Sequence, residues 1–375
     1  MLPYLIYGCT FAYVPHAAFM LAIGYSVIKK DKFRIKDFTN PQFLILLLII
    51  VLSTCNFIIH APFAQEKDEV IPYTILMLGS YLIAVRLSSQ ELRILIYLAV
   101  VECLFAYAEF VLGVKTFFTG LEDNVQNRDL SLLYYRSVFG LSDNSSSFAV
   151  KVLLAYLLIY FLELAGKRIA ILKIILLGGL VISFNRTTML AVVLFHGIRF
   201  LLLFRKSFIQ FLKLKMSKTV ANALLIGVLV LVVSTFAVIT NYDLIVEQLT
   251  RRTSGIEITG RDRIWTQYLE FISNHLLTGN GSQKYFLYQQ GGIYHAHNSF
   301  LQVFANHGII IGSLFILLIG VSINRHNFIY MFPIVVYSLF QYGIFWGISM
   351  LDIVFFLFLL NKGSLMLPDK EKLSC

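Results

Sequence analysis

Long apolar runs separated by short polar segments dominate the chain. Several runs reach the roughly 20 residues that a helix needs to cross a bilayer. The pattern predicts an all-α polytopic integral membrane protein with about 11 transmembrane helices, in the range of roughly 10–12. The predicted spans lie near residues 4–28, 43–59, 70–87, 92–112, 147–165, 169–185, 188–204, 219–240, 298–321, 328–346 and 349–361.

Two longer polar segments define the domain organisation. Residues 1–240 are predicted to hold the first eight spans, with an outer loop near 113–146. Residues 241–297 form a large loop outside the membrane, and residues 298–375 hold the last spans and a short tail. Long ordered loops often carry function, so candidate chemistry is expected in these loops first.

Composition supports the membrane interpretation. Hydrophobic residues make up 58% of the 375 residues, charged residues 14%, and the mean hydropathy is +0.76. A soluble domain is about half apolar and about a quarter charged. The first apolar run is long and lacks a basic start, so we expect a span and not a cleaved leader. The four cysteines show neither a zinc pattern nor a disulfide framework.

Basic residues predict the orientation of the spans. They concentrate in the segments 29–42 and 205–218, which are cytoplasmic by the positive-inside rule. The N-terminus is then outside, the C-terminus is cytoplasmic, and loops 113–146 and 241–297 face outward. This rule explains the net charge of +10 without an anionic partner, so no nucleic-acid partner is expected.

The segment "TGRDRIWTQYLEFISNHLLTGNG" (259–281) has a helical pattern. Apolar side chains recur with a 3.6-residue period at Ile264, Trp265, Tyr268, Leu269 and Ile272. Arg261 and Arg263 lie in the first turn, where cations oppose the helix dipole. We therefore favour contact with an anionic ligand for these arginines, while contact with lipid headgroups or solvent is the alternative.

The stretch "YHAHNSFLQVFANHG" (294–308) offers an acid–base candidate. Asn298 is a good N-cap for a following helix, which places His297 just outside the helix N-terminus. Positive partial charge there favours a neutral imidazole that accepts a proton. The alternative is a capped helix with interfacial polar residues. His295 and His307 are expected to be structural, the latter packing near a glycine, and no further ligand spacing supports a metal.

Other polar residues stand near predicted span ends or inside spans. Arg136 precedes a Gly-Leu-Ser-Asp-Asn turn, and Arg186 interrupts two apolar runs at the outer boundary. Glu102 and Glu109 are seven residues apart on one helical face, and Asp352 lies near a span end. Carboxylates inside a membrane are functional candidates. For the two glutamates we rank a polar network first and catalysis second.

Four of these segments occur in an informative order: "ISFNRTTMLAV", "GRDRIW", "LLTGNG" and "HNSFLQVFANHGIIIG". With the arginine-containing turn before them, they cover roughly residues 130–320. The set resembles the bacterial O-antigen ligase and polysaccharide polymerase family of inner-membrane glycosyltransferases.

The resemblance implies an activity. Family members transfer a glycan from undecaprenyl diphosphate to an acceptor sugar at the outer face of the cytoplasmic membrane, with inversion and without a metal or other cofactor. The implied partners are the lipid-linked oligosaccharide donor, the glycan acceptor, membrane lipids, and a chain-length regulator and a flippase.

The resemblance also implies site residues. Arg186 matches a family arginine, although Asn185 stands where the family has serine. Arg261 matches the loop arginine before Ile-Trp, and His297 matches the histidine of a His-Asn pair. We expect His297 to be the general base, with the two arginines holding the diphosphate. Arg136 and Arg263 are assigned to assist diphosphate binding; Asn298, Glu102, Glu109 and His295 are acceptor-binding or structural candidates.

Several functions are consistent with these features. The first is a polymerase of O-antigen, capsule or exopolysaccharide, and the second is a ligase that moves a glycan onto lipid A-core. A flippase would need internal repeats and charges near the bilayer midplane. A non-catalytic membrane partner would tolerate changes at His297 and Arg186.

Overall fold

The computed structural model describes residues 1–9, 15–29, 35–60, 72–113, 137–142, 144–212, 261–289 and 292–360. Several predicted features lie outside these residues. They are the span 219–240, most of the loop 113–146 including Arg136, and the first part of the loop 241–297.

The described chain is helical, with one small hairpin, and the helical class predicted from the sequence is confirmed. The helices are α1 (Leu2–Gly8), α2 (Pro15–Ile28), α3 (Ile35–Phe38), α4 (Pro41–His60), α5 (Thr74–Arg86), α6 (Ser89–Leu112), α7 (Ser145–Phe161), α8 (Lys167–Ile182), α9 (Arg186–Leu212), α10 (Arg261–Asn274), α11 (Ser299–Ser322), α12 (Phe328–Phe340) and α13 (Met350–Leu359). Strands β1 (Leu287–Gln289) and β2 (Gly292–Tyr294) pair antiparallel, with Leu287 opposite Tyr294.

Three of the described helices are long and apolar enough to cross a bilayer, namely α4, α6 and α11. Five shorter apolar helices accompany them: α2, α5, α7, α12 and α13. A buried apolar core joins these elements, so they support an integral membrane protein. The number of spans, about 11 from hydropathy, stays a prediction.

The first predicted span, 4–28, is wrong. Two helices occupy this region, and α1 packs against α2 instead of continuing into it. Pro15 is the first residue of α2, a position that suits proline because its fixed φ and missing N–H are tolerated at a helix start. Hydropathy alone does not reveal such a break, since both halves are apolar.

The last two predicted spans, 328–346 and 349–361, are also shorter in the structure. Helix α12 has 13 residues and α13 has 10, with a non-helical segment between them. In this segment Phe345 and Gly347 have positive φ angles of 66° and 100°. The buried Asp352 carboxylate accepts hydrogen bonds from their backbone N–H groups at 2.6 and 2.8 Å. Asp352 thus satisfies backbone that would otherwise lack partners in an apolar environment.

Helix α11 is kinked at Gly308, which has φ 77° and ψ −179°. The chain that follows α10 fills the kink, and the Ile309 N–H donates to the Leu276 carbonyl at 2.7 Å. A Cβ atom on Gly308 would lie 2.2 Å from the Leu277 carbonyl oxygen. Only glycine therefore fits, because both the backbone angle and the close approach exclude a side chain.

Polar side chains next to the kink connect the outer loop to the membrane helices. The His307 ring makes hydrogen bonds with Ser282 Oγ at 2.9 Å and with the Tyr73 hydroxyl at 2.7 Å. Asn56 of α4 donates to Ser282 Oγ and to the Thr278 carbonyl, both at 2.8 Å. The described part of the outer loop is thus docked onto α4, α5 and α11, and His307 has a structural place in this contact.

We predict that Gly308→Ala strongly destabilises the protein. A positive φ costs a non-glycine residue roughly 1–2 kcal/mol, and the overlap with the Leu277 carbonyl adds to that. The matched control is Gly320→Ala in the same helix, since a Cβ there meets nothing within 4 Å. The midpoint of thermal unfolding in detergent should fall for the first variant only. Equal midpoints for the two variants would contradict the close approach at the kink.

Candidate active site

A cavity of about 460 Å³ lies between the start of α7, the residues before α11, and the segment that joins α12 to α13. Polar side chains from all three regions line it, among them Asn144, Ser146, Lys151, His295, His297 and Gln341. It therefore contains the histidine stretch and the residues of the Asn144 turn, which are more than 140 positions apart in the chain.

Hydrogen bonds on both sides of His297 hold its position. Asn298 caps α11 as predicted, because its side chain accepts from two N–H groups of the first turn at 2.9 and 3.1 Å. On the other side, the Ala296 N–H donates to the Gln302 side chain at 2.9 Å. The Ala296 carbonyl accepts from the Trp265 indole at 2.8 Å. Helix α10 is thus linked directly to the residue that precedes His297.

His297 has two unusual features. Its φ is 47°, in the left-handed region that non-glycine residues avoid. Such strain costs on the order of 1–3 kcal/mol and tends to occur at functional sites. Its Nδ1 atom is also buried without a hydrogen-bond partner among the residues that the structure describes. A strained histidine with an unsatisfied ring nitrogen is a strong candidate for contact with a substrate.

Burial and a nearby arginine keep both cavity histidines neutral. Burial first, and the charge of Arg261 second, lower the pKa of His297 to about 4, while a hydrogen bond with the Gln341 side chain opposes this. Burial, His297 and Arg261 lower the pKa of His295 to about 3. The His297 N–H donates to Nδ1 of His295 at 3.1 Å, so the proton of neutral His295 is on Nε2. Burial and Arg261 thus act where the sequence suggested a helix N-terminus.

Two of the predicted arginines lie near this cavity. Arg261 is the first residue of α10, and its charge acts on both histidines. Arg186 is the first residue of α9, directly after Asn185, whose side chain donates to the cavity residue Ser146 at 2.8 Å. Arg263 is exposed and is not among the lining residues. The fold therefore brings Arg186 and Arg261 to the end of the molecule where His297 lies.

Glu102 and Glu109 bind the backbone of the 137–142 loop. Glu109 accepts from the N–H groups of Phe139 and Gly140 at 2.9 and 2.8 Å. Glu102 accepts from the Leu141 N–H at 2.9 Å. Both glutamates are buried. They hold the loop that leads into α7, and the first residues of α7 line the cavity.

Lys151 is a cavity residue that the sequence analysis does not identify. Its Nζ is 2.6 Å from Glu102 Oε1, and both side chains are completely buried. The Tyr7 hydroxyl donates to the other oxygen of Glu102. A lysine inside the apolar run 147–165 was the available signal, because a charge within a membrane span needs a partner. The partner itself comes from α6 and is set only by the fold.

An aromatic wall stands beside the histidines. The rings of Tyr342 and Trp346 have centroids 4.6 Å apart, and the His295 ring is 5.8 Å from Tyr342. Lys284 Nζ lies 4.4 Å from the centroid of Trp346. Flat rings with polar edges suit the C–H faces and hydroxyls of a sugar. The cavity therefore combines a proton acceptor, nearby cationic charge and a surface for a sugar ring.

The comparison with known families agrees with these features. A family model described as O-antigen ligase matches residues 171–317, and no curated protein matches the chain. The matched region contains Arg186, Arg261 and His297. The resemblance found in the motifs is thereby confirmed: residues 171–317 are an O-antigen ligase domain, consistent with the O-antigen ligase and polymerase family.

Proposed function

We propose that this protein is a surface polysaccharide polymerase. It transfers a glycan from undecaprenyl diphosphate to the acceptor sugar of a repeat unit, at the outer face of the bacterial cytoplasmic membrane. The observation that supports this best is His297, a neutral and strained histidine with an unsatisfied ring nitrogen at a cavity near two arginines. The predicted topology places the cavity outside, with the C-terminus in the cytoplasm.

On the donor side, arginines stabilise the leaving group. Breaking the bond to the anomeric carbon leaves negative charge on the lipid diphosphate. Arg186 and Arg261 hold this diphosphate, since a guanidinium offers a planar, permanently charged fork to phosphate oxygens. Arg263 and Arg136 assist from the outer loops. In a water-poor site such contacts contribute several kcal/mol to transition-state stabilisation.

On the acceptor side, His297 takes the proton from the attacking hydroxyl. The acceptor oxygen bonds to the anomeric carbon while the diphosphate leaves with the electron pair of the broken bond, so the anomeric centre inverts. Neutral His297 is present at physiological pH because its pKa is about 4. The negative charge of the bound diphosphate would raise this pKa and strengthen the base. The proposed reaction needs neither a protein nucleophile nor a metal.

The other candidate residues have supporting places. The Asn298 side chain caps α11, and Glu102 and Glu109 bind the 137–142 backbone, so we assign them positioning roles. His295 accepts from the His297 N–H and thereby orients the base. We place the acceptor sugar against the aromatic wall of Tyr342 and Trp346.

A ligase is the second candidate function, because the matching family model is described as O-antigen ligase. A ligase would use the same donor and the same base but would deliver the glycan to lipid A-core. The two activities differ only in the acceptor.

The purified full chain, incubated with undecaprenyl-diphosphate-linked repeat units, tests these proposals. Longer lipid-linked chains are expected for a polymerase. Transfer only to added lipid A-core would identify a ligase. Translocation of the lipid without any transfer would overturn both activities in favour of a flippase. Omitting and then adding a chain-length regulator shows whether product length depends on that partner.

A further inference from the structure

A second cavity, of about 530 Å³, lies at the opposite end of the helices that form the candidate active site. Its lining includes Tyr160, Lys173, Arg199, Leu202, Ile329 and Tyr330. Helix α7 connects the two cavities, with Ser147 at the first and Tyr160 at the second. At 1.5 Å per residue these positions are about 20 Å apart along the helix axis. The second cavity is therefore separate from the proposed chemistry.

Two cations share one aromatic ring in this cavity. Lys173 Nζ is 4.0 Å from the centroid of the Tyr160 ring, and Arg199 Cζ is 4.2 Å from the same centroid. The cations come from different helices, α8 and α9, and both are half-buried. Glu163 lines the same cavity, yet neither cation forms an ion pair with a carboxylate within the described parts of the chain. Positive charge is thus concentrated here without a close counter-charge.

The surrounding rings keep the cation site in place. The Tyr160 ring packs edge-on against Tyr156 and Phe195, with centroids 5.3 and 5.1 Å away. The Tyr330 hydroxyl donates to the Tyr160 carbonyl at 3.2 Å. Three helices therefore position one ring, and the two cations stack on a preformed surface. The site needs little rearrangement to bind an anion.

We propose that this cavity binds the phosphate group of an anionic phospholipid. Arg199 offers phosphate a two-pronged contact, and Lys173 adds a point charge. Leu202 and Ile329 extend the lining with apolar surface that suits an acyl chain. Basic pockets between membrane helices on the cytoplasmic side bind anionic head groups. The topology predicted from the sequence places this end, next to Lys167 and Arg168, on that side. The inference does not rest on the proposed glycosyl transfer.

Native mass spectrometry of the full chain in detergent, with phosphatidylglycerol or phosphatidylcholine added, tests the proposal. Wild-type protein should retain phosphatidylglycerol in preference to phosphatidylcholine. Each charge-assisted hydrogen bond is worth about tenfold in affinity, so Lys173→Gln with Arg199→Gln should weaken retention about a hundredfold. The control is Lys167→Gln with Arg168→Gln, because these cations are exposed at the same end and do not line the cavity.

The remaining arms separate the possible results. Lys173→Arg with Arg199→Lys keeps both charges and should retain phosphatidylglycerol. Equal retention of the two lipids by the wild type would overturn the proposal, even if the glutamine variant did not fold. Retention by the folded glutamine variant equal to that of the control would do the same. Stabilisation by inorganic phosphate without any phosphatidylglycerol binding would assign the site to a soluble anion and overturn the lipid.

Discussion

Replacing His297 with asparagine is expected to lower the rate of glycan transfer about 10²–10⁴-fold, the usual contribution of a general base. Asparagine tolerates the left-handed backbone at this position better than alanine, so the fold should survive. Donor binding should persist, because the arginines that we assign to the diphosphate remain. Turnover of the lipid-linked donor and binding of that donor are the two measurements.

The control for this experiment is His275→Asn. His275 is an exposed histidine at the end of α10, stacked on Phe271 with centroids 4.3 Å apart, and it does not line the cavity. Its replacement should leave transfer unchanged. A folded His297→Asn protein that transfers glycan within about twofold of the wild type would remove His297 from the role of base.

The pH profile adds a second readout for the same residue. The neutral form of His297 is the active form, so kcat/KM should stay flat from pH 8 to pH 5 and fall only near the pKa of about 4. The diphosphate of the donor is a diester and does not titrate in this range. Arg261→Gln removes a charge that lowers the pKa of His297, so the inflection should move up towards 6.5 while the overall rate falls. An inflection that stays in place would show that Arg261 does not act on the base.

The second large effect is expected at the buried pair of Lys151 and Glu102. Lys151→Met leaves the Glu102 carboxylate completely buried without its cation, which costs about 3–5 kcal/mol. The midpoint of thermal unfolding in detergent should fall sharply, and the cavity should lose transfer activity with it. Arg168→Met, at an exposed position near the start of α8, is the matched control and should have little effect.

A double variant distinguishes charge burial from lost packing. Lys151→Met with Glu102→Gln removes both charges, while the amide oxygen still accepts from the Leu141 N–H. This variant should regain most of the lost stability, since replacing both partners of a buried ion pair is often nearly neutral. If the double variant is as unstable as Lys151→Met alone, the ion pair is not what stabilises this region.

Local signals in the sequence account for the parts of the fold that were predicted. Asn298 caps α11 and Asn144 caps α7, as their side chains and positions indicated, because a cap needs only the next three residues. Arginine, histidine and glycine motifs were enough to identify the family. Hydropathy identified the apolar regions but not their breaks. The boundary between α1 and α2, and the short helices α12 and α13, depend on which backbone groups find partners.

By itself, the sequence determined the helical membrane class, the caps, and the histidine and arginines that are the candidates for chemistry. These depend on composition and on neighbours within a turn or two of helix. Tertiary structure decided how they are used. It placed Lys151 on Glu102, 49 positions away, and brought Tyr7 to the same carboxylate from 95 positions away. It also surrounded His297 with the protein interior and Arg261, whose combined effect on the pKa no local pattern contains.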